Sequence, residues 1–168
     1  MLFKAFKIVA ISVFAAQPLA AKNLDQPVGE VVLTVSGTPK AENAGEAAQF
    51  DLAMLEGLGA VEFETSTIWT QGVQHFEGLP LIQLVDHLGI TGTTLRATAI
   101  NDYSVDIPLA DAVEGGPIIA YKHNGEEMSV RDKGPLWIVY PYDSKTEYQS
   151  EVVYSRSIWQ LDRIEVIE

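Results

Sequence analysis

Arg131-Asp132-Lys133-Gly134-Pro135-Leu136-Trp137-Ile138-Val139-Tyr140-Pro141-Tyr142-Asp143 reads as one short buried strand held between two turns. Leu136 to Tyr140 are consecutive apolar residues, with Gly134-Pro135 before them and Pro141 after. A run of that length between turn residues is the pattern of a strand covered on both faces. Charged residues stand at its entry and aromatic residues at its exit. The ends of a rigid element are where binding groups are usually carried.

Working outward, strands are expected on both sides. Val31 to Val35 is a first strand closed by Ser36-Gly37, and Val61 to Thr67 alternates apolar with polar residues. Thr94 to Ile100, the turn Asn101-Asp102, and Tyr103, Val105 and Ile107 read as a hairpin. Ile118 to Lys122 and Glu127 to Val130 flank Asn124-Gly125, which signals a second hairpin. Ile158 to Ile167 ends the chain as a strand. Two stretches have helical spacing. Gln49 to Leu58 is one, with Asp51 as N-cap. The other is Leu81 to Leu88, opened by Pro80 and stopped by Gly89. Short strands dominate and two or three short helices interrupt them, so the fold class is α+β rather than repeated βαβ.

Residues 1–21 have the form of a secretory signal peptide. Lys4 and Lys7 give a positive start, Ile8 to Ala16 an apolar stretch, Pro18 a break and Ala20-Ala21 small residues for cleavage. The apolar stretch is shorter than the roughly 20 residues needed to span a bilayer. The expected product is one domain over 22–168, periplasmic or secreted, with no membrane insertion after cleavage. The formal net charge is −12, which disfavours nucleic acid and anionic lipid as partners. The chain has no cysteine. That excludes disulfides, zinc–thiolate sites and thiol catalysis.

An ordered set of short motifs runs through the chain. Trp69 precedes Phe76-Glu77-Gly78-Leu79-Pro80-Leu81 and a helix ending at Gly89. Ala99-Ile100-Asn101-Asp102-Tyr103 and Ile107-Pro108-Leu109 follow. Next come Ile119-Ala120-Tyr121 with Asn124-Gly125 and Met128, then Gly134-Pro135-Leu136 into Val139-Tyr140-Pro141, and last Ser157-Ile158-Trp159. Over residues 28–168 this order resembles the molybdopterin-binding domain of the sulfite-oxidase-type oxidoreductases. That family shows a "W-x-G-V-P-L" element, a "D-G-Y…P" hairpin, "A…N-G…L", "G-x-P-x-R-x-V-x-P" and a terminal "K-W". The resemblance implies a compact α+β fold of that type and a pterin cofactor carrying molybdenum.

The departures bear on that cofactor. The resemblance places the family's molybdenum-binding cysteine upstream of the "W-x-G-V-P-L" element. The corresponding region is Phe63-Glu64-Thr65-Ser66-Thr67-Ile68-Trp69-Thr70. Hydroxyls are poor substitutes for a soft thiolate ligand. Trp137 stands where the family has the arginine of "P-x-R". Ile158 stands where it has the terminal lysine, with Arg156 two residues earlier.

Several residues are candidates for a site. Arg131, Lys133 and Arg156 suit an anion such as a phosphate. Tyr140 and Tyr142 lie at the strand end with Pro141 and Asp143. Trp69, Trp137, Trp159 and Tyr103 complete a set of aromatics able to line an apolar pocket. His75, His87 and His123 have no metal-ligand spacing. No Gly-x-Ser-x-Gly or Walker loop is present. The expectation is an exported binding or accessory module without a metal cofactor and without catalytic residues. The alternatives are a molybdopterin-dependent oxidoreductase, or a sensor of small anions acting with a membrane-bound partner.

Overall fold

The computed structural model describes residues 24–37 and 40–168. The signal peptide expected at 1–21 lies outside them. Among the described residues are ten strands and three short helices. In chain order they are β1 Val31–Ser36, β2 Ala47–Asp51, α1 Leu52–Gly57, β3 Val61–Ser66, β4 Val73–Pro80, α2 Leu81–Leu88, β5 Thr94–Ala99, β6 Ser104–Pro108, β7 Ile118–His123, β8 Glu126–Glu127, β9 Leu136–Val139, α3 Glu151–Arg156 and β10 Trp159–Ile167.

The strands join in one sheet whose main path is β2-β1-β10-β9-β7-β4-β3, with β5 and β6 branching from β10. Every pairing is antiparallel except that of β1 with β10. Strand β10 serves both halves. Its first residues pair with β9, Trp159 opposite Trp137, and its later ones pair with β1 and β5. The register shifts at Leu161 on both sides, and Gln160 has φ 54°. An extra residue in a left-handed conformation makes a bulge, which bends a strand and re-aims its side chains. Trp159, immediately before this bulge, is one of the exposed large rings.

The expected buried strand is β9. Leu136, Trp137, Ile138 and Val139 are all fully buried, because β10 and β7 flank it. Helix α2 also follows its pattern. Leu81, Leu84, Val85 and Leu88 face the core, and Gly89 closes the helix at φ 60°. Asp51 caps α1 by accepting from the Met54 N–H at 2.9 Å. It also accepts from the N–H groups of Val28 and Gly29.

Other elements differ from their sequence pattern. Helix α1 begins at Leu52, not Gln49, because Ala47–Asp51 pairs with β1. The arm expected at Glu127 to Val130 contracts to the two residues of β8. Strand β4 has no clean alternation, since its polar residues are held sideways. Glu77 pairs with Lys122 of β7 at 2.9 Å, and Glu56 of α1 shares that lysine at 3.3 Å. Helix α3 buries only Val153, too little for a visible periodicity, but Ser150 caps it.

Gly78 lies where β4 comes closest to β7. A Cβ there would run into the carbonyl oxygen of Ile119 and the Cα of Ala120, both backbone atoms that cannot swing aside. Gly78→Ala should therefore lower stability by about 1–3 kcal/mol, read as a fall in the urea midpoint with little change in slope.

Candidate functional site

Strand β3 ends at Thr65 and Ser66, and a carboxylate from the far side of the sheet closes that end. Asp143 lies just beyond β9, in the turn Tyr142–Ser144. Its carboxylate accepts from the Ser66 N–H at 2.6 Å and from the Ser66 hydroxyl at 2.7 and 2.8 Å. The Asp143 N–H in return donates to Thr65 Oγ1 at 3.1 Å. The Ser66 N–H, then its hydroxyl, hold the Asp143 carboxyl below its ordinary range, with Thr65 adding less. The Thr67 and Thr70 hydroxyls bond to each other at 2.6 Å, and Thr67 Oγ1 accepts from the Trp69 N–H. The hydroxyls along this segment are thus all engaged within the fold.

The same segment places Trp69 at the centre of an aromatic cluster. Its ring meets Trp137, Tyr142, Tyr154 and Trp159 edge-on, with centroids 5.6–6.2 Å apart. Below them Phe76 meets Trp137 at 5.3 Å and stacks on His123 at 4.9 Å. Such edge-to-face pairs add about 0.5–1.5 kcal/mol each beyond burial. Burial holds the His123 imidazole below its ordinary pKa, hence neutral near pH 7.

Polar atoms in this core are matched. Tyr142 donates to Ser157 Oγ at 2.7 Å, Ser157 passes the bond to the Val153 carbonyl, and Trp137 Nε1 donates to the Ser157 carbonyl. At the far end of β9, Tyr140 donates to Asp111 Oδ2 at 2.7 Å. Arg156 donates to the same oxygen at 2.8 Å. Burial raises the pKa of both phenols, and the Asp111 carboxylate raises that of Tyr140 further. Both therefore stay protonated and neither can serve as a base.

The residues singled out from the sequence thus fall into separate places. Arg156 and Tyr140 share Asp111. Lys133 lies at the opposite end of β9, over the rings of Trp137 and Trp159 at 5.5 and 5.9 Å, and pairs loosely with Asp132 at 3.7 Å. Arg131 is exposed on the same turn. Tyr142 is inside the aromatic cluster. Asp111 and Tyr154 had no distinguishing sequence pattern, and Ser157, which carries the network with Asp111, stood only in the last of the ordered motifs. Asp143 stood in the decisive stretch, but its partner lies 77 residues away.

An open cleft of about 480 Å³ adjoins the cluster. Trp69, Tyr103, Tyr154 and Trp159 form its walls, with Asn101 and Gln160 at its edge. Three of the aromatics proposed for a pocket therefore line one. Trp137, Tyr140 and Tyr142 are core.

Sequence and fold comparisons identify the frame that carries this geometry. A family model described as the oxidoreductase molybdopterin binding domain matches residues 53–148. The chain belongs to that family. Among solved structures it is similar to the sulfane dehydrogenase SoxCD from Paracoccus pantotrophus, with a TM-score of 0.60 and 16% identity. The match covers 80% of this chain and 37% of that one, so this chain spans a minor part of the length of its structural relative. At that identity the likeness is one of fold. No curated protein sequence matches the chain.

The family is molybdopterin-binding, but the residues present do not fit a molybdenum centre. The chain has no cysteine. The Thr65 and Ser66 hydroxyls, within the region 63–70 where the resemblance puts that ligand, are bound to Asp143. Among the described residues no three His, Cys, Asp or Glu side chains come together as a metal site. Arg156, nearest to the family's terminal lysine in sequence, is neutralised by Asp111.

Replacing Asp143 by alanine should cost about 1–2 kcal/mol in urea unfolding, since it frees the end of β3 from its acceptor. The depressed Asp143 pKa also sets a sign. Its contribution is present in full above the ordinary carboxylate range and is lost as pH falls through the lower folded-state value. Between neutral pH and about pH 3, the wild type should lose more stability than Asp143→Asn.

Proposed function

We propose that this chain is an exported, non-catalytic member of its family, a binding or accessory module that works in the periplasm or outside the cell. Its frame is that of a molybdopterin domain, and its central site is built from hydrogen bonds and aromatic rings instead of metal ligands. The observation that carries this reading is the bonding of Thr65 and Ser66 to Asp143. The end of β3, within the region where the resemblance puts the cysteine, is a seam closed by Asp143. The Tyr140 and Tyr142 phenols beside it are held protonated. Export rests on the signal-like pattern of residues 1–21, and the negative net charge favours a small molecule or a protein partner over nucleic acid.

The deciding measurement is molybdenum and pterin content of the full chain purified from the periplasm of a host that makes molybdopterin. The expected result is molybdenum and pterin both far below one per chain. Stoichiometric molybdenum would return the protein to the oxidoreductases.

A further inference from the structure

The cleft beside Trp69 has features that core packing does not require. Tyr103 is 58% exposed and Trp159 is 37% exposed, although both are large rings that folding normally covers. Trp159 lines this opening immediately before the bulge at Gln160, and bulges commonly re-aim side chains beside binding sites. The volume, about 480 Å³, lies in the range of small-molecule pockets. No Asp, Glu, Lys, Arg or His is among the lining residues. On a chain with a formal net charge of −12, that neutrality sets this surface apart.

Two amides mark the polar edge, and the fold orients each of them. Asn101 Oδ1 accepts from the Tyr103 N–H at 3.2 Å, so its NH₂ group is left as a donor. Gln160 Nε2 donates to the Val130 carbonyl at 2.6 Å, so its Oε1 is left as an acceptor. A ligand therefore meets aromatic walls, an amide donor at Asn101 and an amide acceptor at Gln160, with no charged residue in the lining; the Ser155 and Ser157 hydroxyls that also line the cleft already donate to the Val152 and Val153 carbonyls.

We propose that this cleft binds a flat, uncharged aromatic molecule bearing a carboxamide-like edge, with its carbonyl toward Asn101 and its N–H toward Gln160. An anion is disfavoured, because no cation is among the lining residues, the nearby Lys133 and Arg163 are paired with Asp132 and Asp102, and the surrounding body is negative. The inference rests on the reading that the domain works by binding, and it adds the chemical class of the ligand.

The chain's three tryptophans all lie in or under this cluster, so their indole N–H signals report on it directly. In the full chain labelled with nitrogen-15, benzamide is titrated against its isosteric anion benzoate, up to the solubility of each. Benzamide is expected to move the Trp69 and Trp159 signals, and Trp137, held by the Ser157 carbonyl, to move least. Benzoate should bind roughly tenfold more weakly, the scale of one lost hydrogen bond. Gln160→Ala should erase that preference, because only benzamide carries the N–H that the Gln160 side-chain carbonyl accepts, while Asn101→Ala and Tyr103→Ala should weaken both probes. Asn101 and Tyr103 are exposed and Gln160 is half-buried, and an unchanged urea midpoint confirms that each variant folds. Benzoate binding as tightly as benzamide, or benzamide shifts that Asn101→Ala and Tyr103→Ala leave unaltered, would overturn the proposal. So would the absence of any benzamide shift in metal-free protein. Stoichiometric molybdenum in the same preparation would sink the functional reading instead, so the two failures are distinguishable.

Discussion

The Asp143 carboxylate, received by the backbone and hydroxyl of Ser66, is the contact on which the site depends. It fastens the end of β3 to the chain leaving β9, two segments that share no direct strand pairing. The residues immediately after β3 are then constrained, and the Thr67–Trp69 turn sets the Trp69 ring among four others. A charged acceptor with several donors is among the stronger hydrogen-bonding arrangements in a protein. One surface carboxylate thus orders a buried aromatic cluster.

The second constraint is the bend in β10. A nine-residue strand is long enough to meet β9 at its start and β1 and β5 along the rest, but it does so only by inserting Gln160 out of register. Straightening it would carry Trp159 back toward the sheet. The bend also brings the β5–β6 turn, with Asn101 and Tyr103, next to the end of α3. The cleft is therefore a product of three elements that are distant in sequence, joined by one irregular residue.

The charges follow a consistent logic. Asp111 receives both Arg156 and Tyr140 in a partly buried position, where an unpaired carboxylate or guanidinium would be costly. Lys133 covers two tryptophan rings and so contributes packing as well as charge. Two of the cations that could have met a phosphate, Arg156 and Lys133, are thus used internally at opposite ends of β9, while Arg131 stays exposed. The surface left open beside them is aromatic and neutral.

Much of the frame was legible in the residues. The run Leu136 to Val139, the spacing of Leu81, Leu84, Val85 and Leu88, and the Asn124-Gly125 turn each carry their structure locally, because strand burial, helix period and turn chemistry act over a few residues. Strand β4 and helix α3 were not legible, since Glu77 depends on Lys122 across the sheet and α3 buries a single side chain. The absence of cysteine, read directly from the composition, already bore on the metal. Sequence alone thus determined the types of the locally coded elements, the acidic balance and the missing thiolate. Only the tertiary structure decided that Asp143 closes the end of β3, that Asp111 neutralises Arg156, and that Tyr140 and Tyr142 are core while Tyr103 and Trp159 face a cleft. Those outcomes join residues tens of positions apart, and no local period or propensity encodes which partner a side chain meets once the sheet has formed.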